Sequence, residues 1–472
     1  MTLARDEKKI MKKIRNIIPL VAVALLGSCS ALHQEYKSDL TVPNNLYGDQ
    51  QEIVASTAQP SIATLSWRQL FADPYLQRLI DTALVRNTDL AVTRLHVQQA
   101  EASLKAAKQA FLPSLTFNPN GGVNYFNKTT TGVYNVGLTA QWQADIFGSM
   151  KNKKRQSEAV LEQARDFEQA TQSQLVTGVA MAYYKLLLCK GQLEIMQQTK
   201  GLWEKQLVTQ RALYENGRAY STSVNQMQAS LLGVEAQIAD MQFEIQRAEN
   251  AICILLCQPH TTIEHSSTVG RGHLLSSLGT STLGSGLPIE MLANRPDVRA
   301  AQRAVEAAFY VKQQAKADFY PNLTLSGTLG FTNNGGVVDP GKILLSALGE
   351  LTAPIFARGQ IKAKYAISEL QQEEAKQQFV NTTINAGMEV NEALMMYNSA
   401  AGKDAIYSKQ VAVLQDAYKG TQELMANGKA TYIEVLTAQE ALLSAQLDEL
   451  SNLYQATQGL IALYQALGGG SL

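Results

Sequence analysis

The sequence predicts a mainly α-helical chain with a membrane β-barrel part, built as two repeats of helix–strand–strand–long helix–helix. Three observations lead there: an internal repeat across most of the 472 residues, amphipathic strands after a proline in each copy, and proline-free stretches long enough for very long helices.

Displacing the sequence by 208 residues lays Asp89-Leu90 on Asp297-Val298 and Phe111-Leu112-Pro113-Ser114-Leu115 on Phe319-Tyr320-Pro321-Asn322-Leu323. At 209 residues Ala144-Asp145-Ile146-Phe147 meets Ala353-Pro354-Ile355-Phe356, and at 211 Asn216-Gly217-Arg218-Ala219 meets Asn427-Gly428-Lys429-Ala430. An offset that grows in small steps puts the indels in loops. Two repeats of about 190 residues explain it.

The elements follow in order. "MKKIRNIIPLVAVALLGSCS" begins at Met11 with Lys12, Lys13 and Arg15, continues through the apolar run Ile17–Leu26 and ends in small residues before Cys29. That run is far shorter than the ~20 residues of a membrane-spanning helix, so residues 1–28 read as an export signal. Arg5, Asp6 and Glu7 suit a signal badly, which makes Met11 the expected true start. Leu26-Gly27-Ser28-Cys29 resembles the bacterial lipobox, after which Cys29 carries lipid chains, palmitate among them; an ordinary signal with an incidental cysteine is the alternative. Ser30 after the cysteine points, by the same resemblance, to the outer membrane. A lipid-anchored tail, 29–66, leads into the first repeat, 67–259.

That repeat opens with a helix over about 74–111, stopped by Pro113. Strands are expected over about 113–143. In the clearer one Tyr134, Val136, Leu138, Ala140 and Trp142 face one way, and Asn135, Gly137, Thr139, Gln141 and Gln143 the other. No proline lies between Pro119 and Pro259, so a helix can run from Lys151 to Asn216, roughly 100 Å. Inside it Leu175, Val179, Ala182, Leu186, Cys189, Leu193 and Met196 make a coiled-coil seam, flanked by a second row, Val176, Ala180, Tyr183 and Leu187. Two apolar rows suit a stave in a wall of helices. An Asn-Gly turn and a returning helix complete the copy. A Ser/Thr/Gly-rich linker, 260–287, separates it from the second repeat, 288–472, with its helix at about 290–319 and barrel strands at about 321–355. There Leu323, Leu325, Leu329 and Phe331 alternate with Thr324, Ser326, Thr328 and Thr332.

Four such strands cannot close a barrel in lipid, where an open edge leaves backbone groups unsatisfied. A homotrimer supplies twelve, above the eight with which single-chain barrels begin, continued by an α-helical barrel. Apolar and aromatic side chains then face lipid, with Tyr134, Trp142 and Phe331 as membrane-interface aromatics, and Thr, Ser, Asn and Gln line water. A soluble sheet with one face on a core is the plainer alternative.

Lys+Arg and Asp+Glu both number 41, which gives no electrostatic case for nucleic acid. No P-loop, G-x-S-x-G or H-E-x-x-H occurs, and His260 and His265 sit in loop-like sequence, so no catalytic residue, cofactor or metal ligand is assigned. Antiparallel geometry about residue 218 sets Cys189 a turn from Cys253, where two buried thiols or a disulfide both fit.

Several segments resemble the TolC family of outer-membrane efflux proteins, in particular its lipoprotein branch serving RND-type drug and metal efflux systems. They are "SWRQLFADPYLQRLIDTAL" (66–84), "WQADIFG" (142–148), "LPIEMLANRPDVRAAQRAV" (287–305), "APIFARGQ" (353–360) and "LYQALGGG" (463–470). Gln302 replaces the family's usual Glu, and Ser471 a common Trp. The resemblance implies a homotrimeric exit duct in the outer membrane of a Gram-negative-type bacterium, extending into the periplasm. It would pass drugs or other small solutes from a periplasmic adaptor protein and an inner-membrane RND-type pump, and would itself catalyse nothing. It implies a periplasmic gate that opens as paired helices relax outward. Glu434 stands where relatives carry a selectivity carboxylate, and Thr437 where some carry a second. An acidic ring from symmetry copies and a solvated glutamate at a helix start are both open readings of Glu434. Ser223 and Ala430 replace an acidic and a basic residue of a closing network, which leaves packing as the main gate. The turns Asn216-Gly217-Arg218 and Asn427-Gly428-Lys429 are the candidate adaptor contacts. A duct for type I protein secretion and a lipid-anchored helical scaffold without a pore remain the rival readings.

Overall fold

The computed structural model describes residues 34–38, 40, 65–126, 128–266, 294–332 and 342–470. The signal, Cys29 and the linker from residue 267 onward lie outside them. The elements are α1 (Trp67–Leu70), α2 (Pro74–Arg86), α3 (Thr88–Gln109), β1 (Ser114–Phe117), β2 (Asn120–Phe126), β3 (Thr129–Ala144), α4 (Ser149–Glu215), α5 (Ser221–Leu255), α6 (Pro296–Ala317), β4 (Asn322–Thr332), β5 (Lys342–Thr352), α7 (Gln360–Ala426) and α8 (Tyr432–Ala466). The repeat is metrical. Helices α4 and α7 both have 67 residues, and α5 and α8 both have 35. Their starts differ by 211, the offset found at the Asn-Gly turns.

Two differences from expectation have local causes. The helix expected over 74–111 is two helices, because Asn87 leaves the helical path: its Oδ1 accepts from Leu90 N at 3.0 Å and its Nδ2 donates to Leu255 O at 3.0 Å. The first strand of repeat one is two segments, β1 and β2, both paired with β3. Pro119, lacking an N–H, interrupts it, and Asn118 N bridges the gap to Gly137 O at 3.3 Å.

The chain forms two compact units, drawn from both repeats. The first comprises the described residues of Met1–Thr41, His96–Arg165 and Ala300–Val380 and holds the sheet. Its helix α4 is capped by Asp145, whose carboxylate accepts from Met150 N at 3.0 Å and Lys151 N at 2.7 Å, and Phe147 stacks on Tyr320 with ring centroids 5.0 Å apart. The tail seats here as well: Glu35 pairs with Arg155 at 2.6 Å, and Tyr36 packs on Phe309 at 5.6 Å between rings.

The second unit comprises the described residues of Val42–Leu95, Asp166–Arg299 and Asn381–Leu472. Its main core joins α1, α2, α4, α5 and α8 through Leu70, Phe71, Leu76, Ile80, Tyr183, Ile252, Ile461 and Tyr464. Both expected rows of α4 are covered: Leu175, Val179, Leu186, Cys189 and Met196 in one, and Val176, Ala180, Tyr183 and Leu187 in the other are buried. Cys189 and Cys253 are free, buried thiols, and burial pushes the Cys189 thiol up. Two of the motif segments, 287–305 and 463–470, meet at one junction. Arg295 Nη1 donates to Ala466 O at 2.8 Å, while its other nitrogens reach Asp297 and Glu389 at 2.7 Å. Ser173 Oγ donates to Gly469 O beside it.

Candidate functional site: a two-faced sheet and two helical turns

In the first unit the strand segments make a sheet four strands wide, in the order β1-β3-β4-β5 with β2 extending β1 along β3. Every pairing is antiparallel, and the register lines up like with like. Phe117, Leu138, Leu329 and Leu345 form one row across all four strands; Thr116, Thr139, Thr328 and Ser346 form the next. The Thr139 and Thr328 hydroxyls lie 3.1 Å apart. Period 2 therefore gives one apolar face and one polar face. By register the polar face also carries apolar residues, Leu348 opposite Ser326, Leu344 opposite Gly330 and Val133 opposite Gly122. Most of the apolar side chains are bare: Leu325, Leu329 and Phe331 are exposed, and Leu345 is 80% exposed, while Tyr134 and Leu323 at the ends of their rows are half-buried. That overturns the alternative of a sheet with one face on a core of its own unit. The outer edges of β1/β2 and of β5 have no partner strand among the described residues.

The three aromatics fall on the apolar face. Trp142, across from Leu325, is fixed by Nε1 donating to Phe111 O at 2.9 Å. Tyr134 lies eight residues away on β3, and Phe331 pairs with Val136 beside it. Eight residues of strand cover about 27 Å, close to the ~25 Å apolar band of an outer-membrane barrel. At Gly137 and Gly330 the strands leave no room for a side chain: a Cβ on Gly330 would lie 2.3 Å from Val136 O.

In the second unit both Asn-Gly turns close identically. The φ of Gly217 is +72° and that of Gly428 is +70°. Arg218 N donates to Leu213 O at 2.8 Å, and Lys429 N to Leu424 O at 2.8 Å, the longer bond of a Schellman motif. The side chains of Asn216 and Asn427 each fold back on the helix, at 2.7 Å to Ala212 O and 2.8 Å to Glu423 O. All six candidate contact residues are exposed.

Glu434 begins α8 in a capping box, its Oε2 accepting from Thr431 N at 2.9 Å, so the helix-start reading holds within one chain. The carboxylate stays exposed, as does Thr437, which donates to Ile433 O at 2.9 Å. Glu434 also heads a line that sequence reasoning missed. Stepping by three and four, Glu434, Thr437, Ala441, Ser444 and Asp448 form an exposed stripe, taken up again at Gln455, on a helix whose other exposed residues are Ile433 and Glu440 near its start. A polar heptad on an apolar helix was the available signal. Ser223, at the position matching Glu434, accepts from Gln210 Nε2 at 3.0 Å and donates to Tyr220 O at 2.7 Å. Beneath the turns Trp203, Leu207, Met227, Leu231, Val234, Leu436 and Leu443 make a small core. Three buried polar groups at or beside it have no hydrogen-bond partner among the described residues: Trp203 Nε1, the Tyr432 hydroxyl and the whole Gln439 amide. Burial, with the Glu440 charge, drives the Tyr432 pKa upward.

Comparison with known proteins gives the following. The family model for outer membrane efflux proteins matches residues 79–257 and 287–469. The cation efflux system protein CusC of Escherichia coli K12 is 28% identical over 95% of this chain and 98% of its own length. The probable outer membrane lipoprotein SilC of Salmonella typhimurium is 26% identical over 96% and 98%. The toluene efflux pump outer membrane protein TtgI of Pseudomonas putida is also 26% identical, over 96% and 98%. A crystal structure of CusC superposes with a TM-score of 0.82 at 26% identity, over 92% of this chain and all of that one.

Proposed function

This chain belongs to the outer membrane efflux protein family, and from that premise we propose that three copies form the exit duct of a tripartite efflux system. The observation that carries the reading is the sheet: four strands wide, apolar on one face, polar on the other, unpaired at both edges. In lipid those edges must be closed by other strands, and three copies bring the total to twelve, within the range of known barrels. The Leu/Phe/Trp face then meets acyl chains. The Thr/Ser face meets the water through which solute leaves.

Cys29 carries the lipid anchor. Glu35 and Tyr36 seat on the unit that holds the sheet, and the few residues between them and Cys29 span at most about 20 Å. The anchor is therefore tethered near the bilayer that the sheet occupies. A periplasmic adaptor docks on the exposed turns Asn216-Gly217-Arg218 and Asn427-Gly428-Lys429, and an inner-membrane RND-type pump supplies solute and energy. Glu434, with Thr437 and Asp448 further along the same stripe, lines the entrance. Three copies of each carboxylate would draw cations ahead of anions. The cargo is small solutes, cationic ones favoured.

Reconstitution of the full-length protein in planar bilayers tests this. A trimeric species with cation-selective conductance is expected, and Glu434→Gln should lower the cation preference while leaving the oligomer intact. Absence of any conductance from a folded, membrane-inserted protein would leave the scaffold reading standing instead.

A further inference from the structure

We propose that the helix ends at the foot of the sheet form a basic belt, which binds the headgroups of anionic phospholipids through Lys108, Lys151, Lys316 and Lys362. This rests on the reading that the sheet lies in a bilayer, and it names the class of lipid held around it.

The sequence concentrates positive charge here. The stretches 105–109, 149–155, 312–317 and 358–364 lie where α3 and α6 approach the strands and α4 and α7 leave them. They hold eleven Lys and Arg and no Asp or Glu, in a chain whose charges balance overall. The repeat places the charge twice. The offset of 208 that lays Phe111 on Phe319 also lays Lys108 on Lys316, and the offset of 211 between α4 and α7 lays Lys151 on Lys362. Each copy thus keeps one lysine in the last turn before its strands and one in the first turn after them. Their neighbours are paired: Lys154 with Glu158 at 3.5 Å, Arg155 with Glu35 at 2.6 Å, Lys312 with Glu369 at 2.8 Å and Lys364 with Asp318 at 2.6 Å. The ammonium groups of the four repeated lysines have no carboxylate partner among the described residues. Like charges gathered this way repel one another, and an anion from outside the chain offsets that cost.

The tail shows which side these lysines face. Gln34, Glu35 and Tyr36 seat on one side of α4 and α6: Arg155 Nη2 donates to Glu35 Oε1 at 2.6 Å, Gln313 Nε2 donates to Gln34 Oε1 at 3.4 Å, and Tyr36 packs on Phe309. On α6 Lys316 follows Phe309 and Gln313 in steps of four and three and shares their face; on α4 Lys151 lies four residues from Arg155 and shares its face. Both stand nearer the sheet than the tail does, by roughly 10 Å along α6 from Phe309 and roughly 6 Å along α4 from Arg155. The stack of Phe147 on Tyr320 and the bond from Gln314 Nε2 to Gln156 Oε1 at 3.1 Å set Lys151 level with Lys316. The few residues from Gln34 to a lipid-bearing Cys29 are too short to cross the helical wall, so the tail runs over its bilayer side, and Lys151 and Lys316 lie on that side too. Lys108 is tied to the same side by a different contact. It stands one turn before Phe111, whose carbonyl accepts from Trp142 Nε1 at 2.9 Å, and Trp142 belongs to the apolar face.

The ligand that fits is a phosphodiester at the rim of an apolar layer. Lysine stems lie along apolar surface while their ammonium ends reach the headgroup level. Each such cation favours a headgroup with net negative charge over a zwitterionic one. An aromatic residue with a cation one turn away, as in Trp142 and Lys108, is the pairing found where a protein meets the edge of a bilayer. Inside the duct the same charges would oppose the cation preference that Glu434 supplies, and the seat of the tail excludes that placement for Lys151 and Lys316.

The experiment uses the full-length protein in phosphatidylcholine vesicles containing a minor share of brominated phosphatidylglycerol or, in parallel, the same share of brominated phosphatidylcholine. Trp142 is the reporter, because Trp67 and Trp203 are buried in the other unit. Brominated phosphatidylglycerol should quench Trp142 several-fold more effectively, and added salt should shrink that preference. The quadruple variant Lys108→Gln/Lys151→Gln/Lys316→Gln/Lys362→Gln should be quenched equally by both lipids, whereas Arg at the same four positions should keep the preference. Equal quenching in the unaltered protein, a preference indifferent to salt, or a preference that survives in the Gln variant would overturn the inference and leave the duct reading intact. Trp142 quenched by neither lipid would overturn both.

Discussion

Alanine at Gly459 sets helix propensity against packing, and the structure says which wins. In a helix interior, glycine to alanine normally adds about 0.5–1 kcal/mol of stability. At Gly459, however, a Cβ would lie 2.7 Å from Tyr397 N, 2.9 Å from its Cα and 3.0 Å from its Cβ. These belong mainly to the backbone of α7, which cannot rotate away, so α7 and α8 must separate locally. Such overpacking costs about 1–3 kcal/mol. The same separation loosens the buried bond from Asn452 Nδ2 to Ala400 O, 2.9 Å long, which adds on the order of 1 kcal/mol. The sum is a net loss of about 1–3 kcal/mol, opposite in sign to propensity alone. Gly201 is the control, because a Cβ there meets nothing within 4 Å and repeat two already carries Ala412 at the matching position. Thermal unfolding of the purified protein followed by circular dichroism should give a lower Tm for Gly459→Ala and an equal or higher one for Gly201→Ala. If the Tm of Gly459→Ala matches or exceeds that of Gly201→Ala, the close approach of α7 and α8 is refuted.

Three further outcomes are expected. Brominated acyl chains should quench the fluorescence of Trp142, and Trp142→Phe should abolish most of that quenching, since Trp67 and Trp203 are both buried in the other unit. Gln439→Leu should raise the Tm by removing an amide with no hydrogen-bond partner among the described residues, and should lower conductance if opening gives that amide its partner. At Asp297 burial pushes the pKa up, but the hydrogen bonds and charge of Arg295 outweigh it and hold the carboxyl below its ordinary value. Its contribution is complete above about pH 3.9 and is lost as pH falls through the lower folded value. The stability gap between wild type and Arg295→Met, measured by urea unfolding, should therefore narrow below about pH 3.9.

Much of this architecture is readable without coordinates because it depends on strong local signals. Prolines mark where helix gives way to strand, period 2 separates the faces of β3 and β4, and Asn-Gly marks both turns. What escaped has a different origin. At Asn87 the local signal is a single capping residue, bonded to Leu90 N, and the bond from its amide to Leu255 O, 168 residues away, holds it off the helical path. Pro119 did announce the break between β1 and β2, and Thr431-x-x-Glu434 spelled out a capping box, so those two were legible and passed over. The polar stripe below Glu434 was legible too, as polar residues at heptad spacing on an apolar helix, and was passed over.

The two returning helices show why periodicity could not finish the task. Both α5 and α8 carry a heptad seam of the same length in the same register, and a helical wheel does not distinguish them. Within one chain only α8 has its seam covered, by α4 and α5. Physical chemistry does not let the other stay bare, since a run of exposed residues that includes Leu232, Phe243 and Ile254 is an unfinished contact. The open edges of the sheet impose the same demand in the other unit, through unsatisfied backbone groups instead of apolar area. Two unrelated forces, in two units of the chain, are both answered by the proposed assembly, in which a neighbour of identical sequence stands on each side. In that assembly a copy number that satisfied only one of them would leave the other exposed to lipid or to water, so the sheet and the helices would close with the same number of copies.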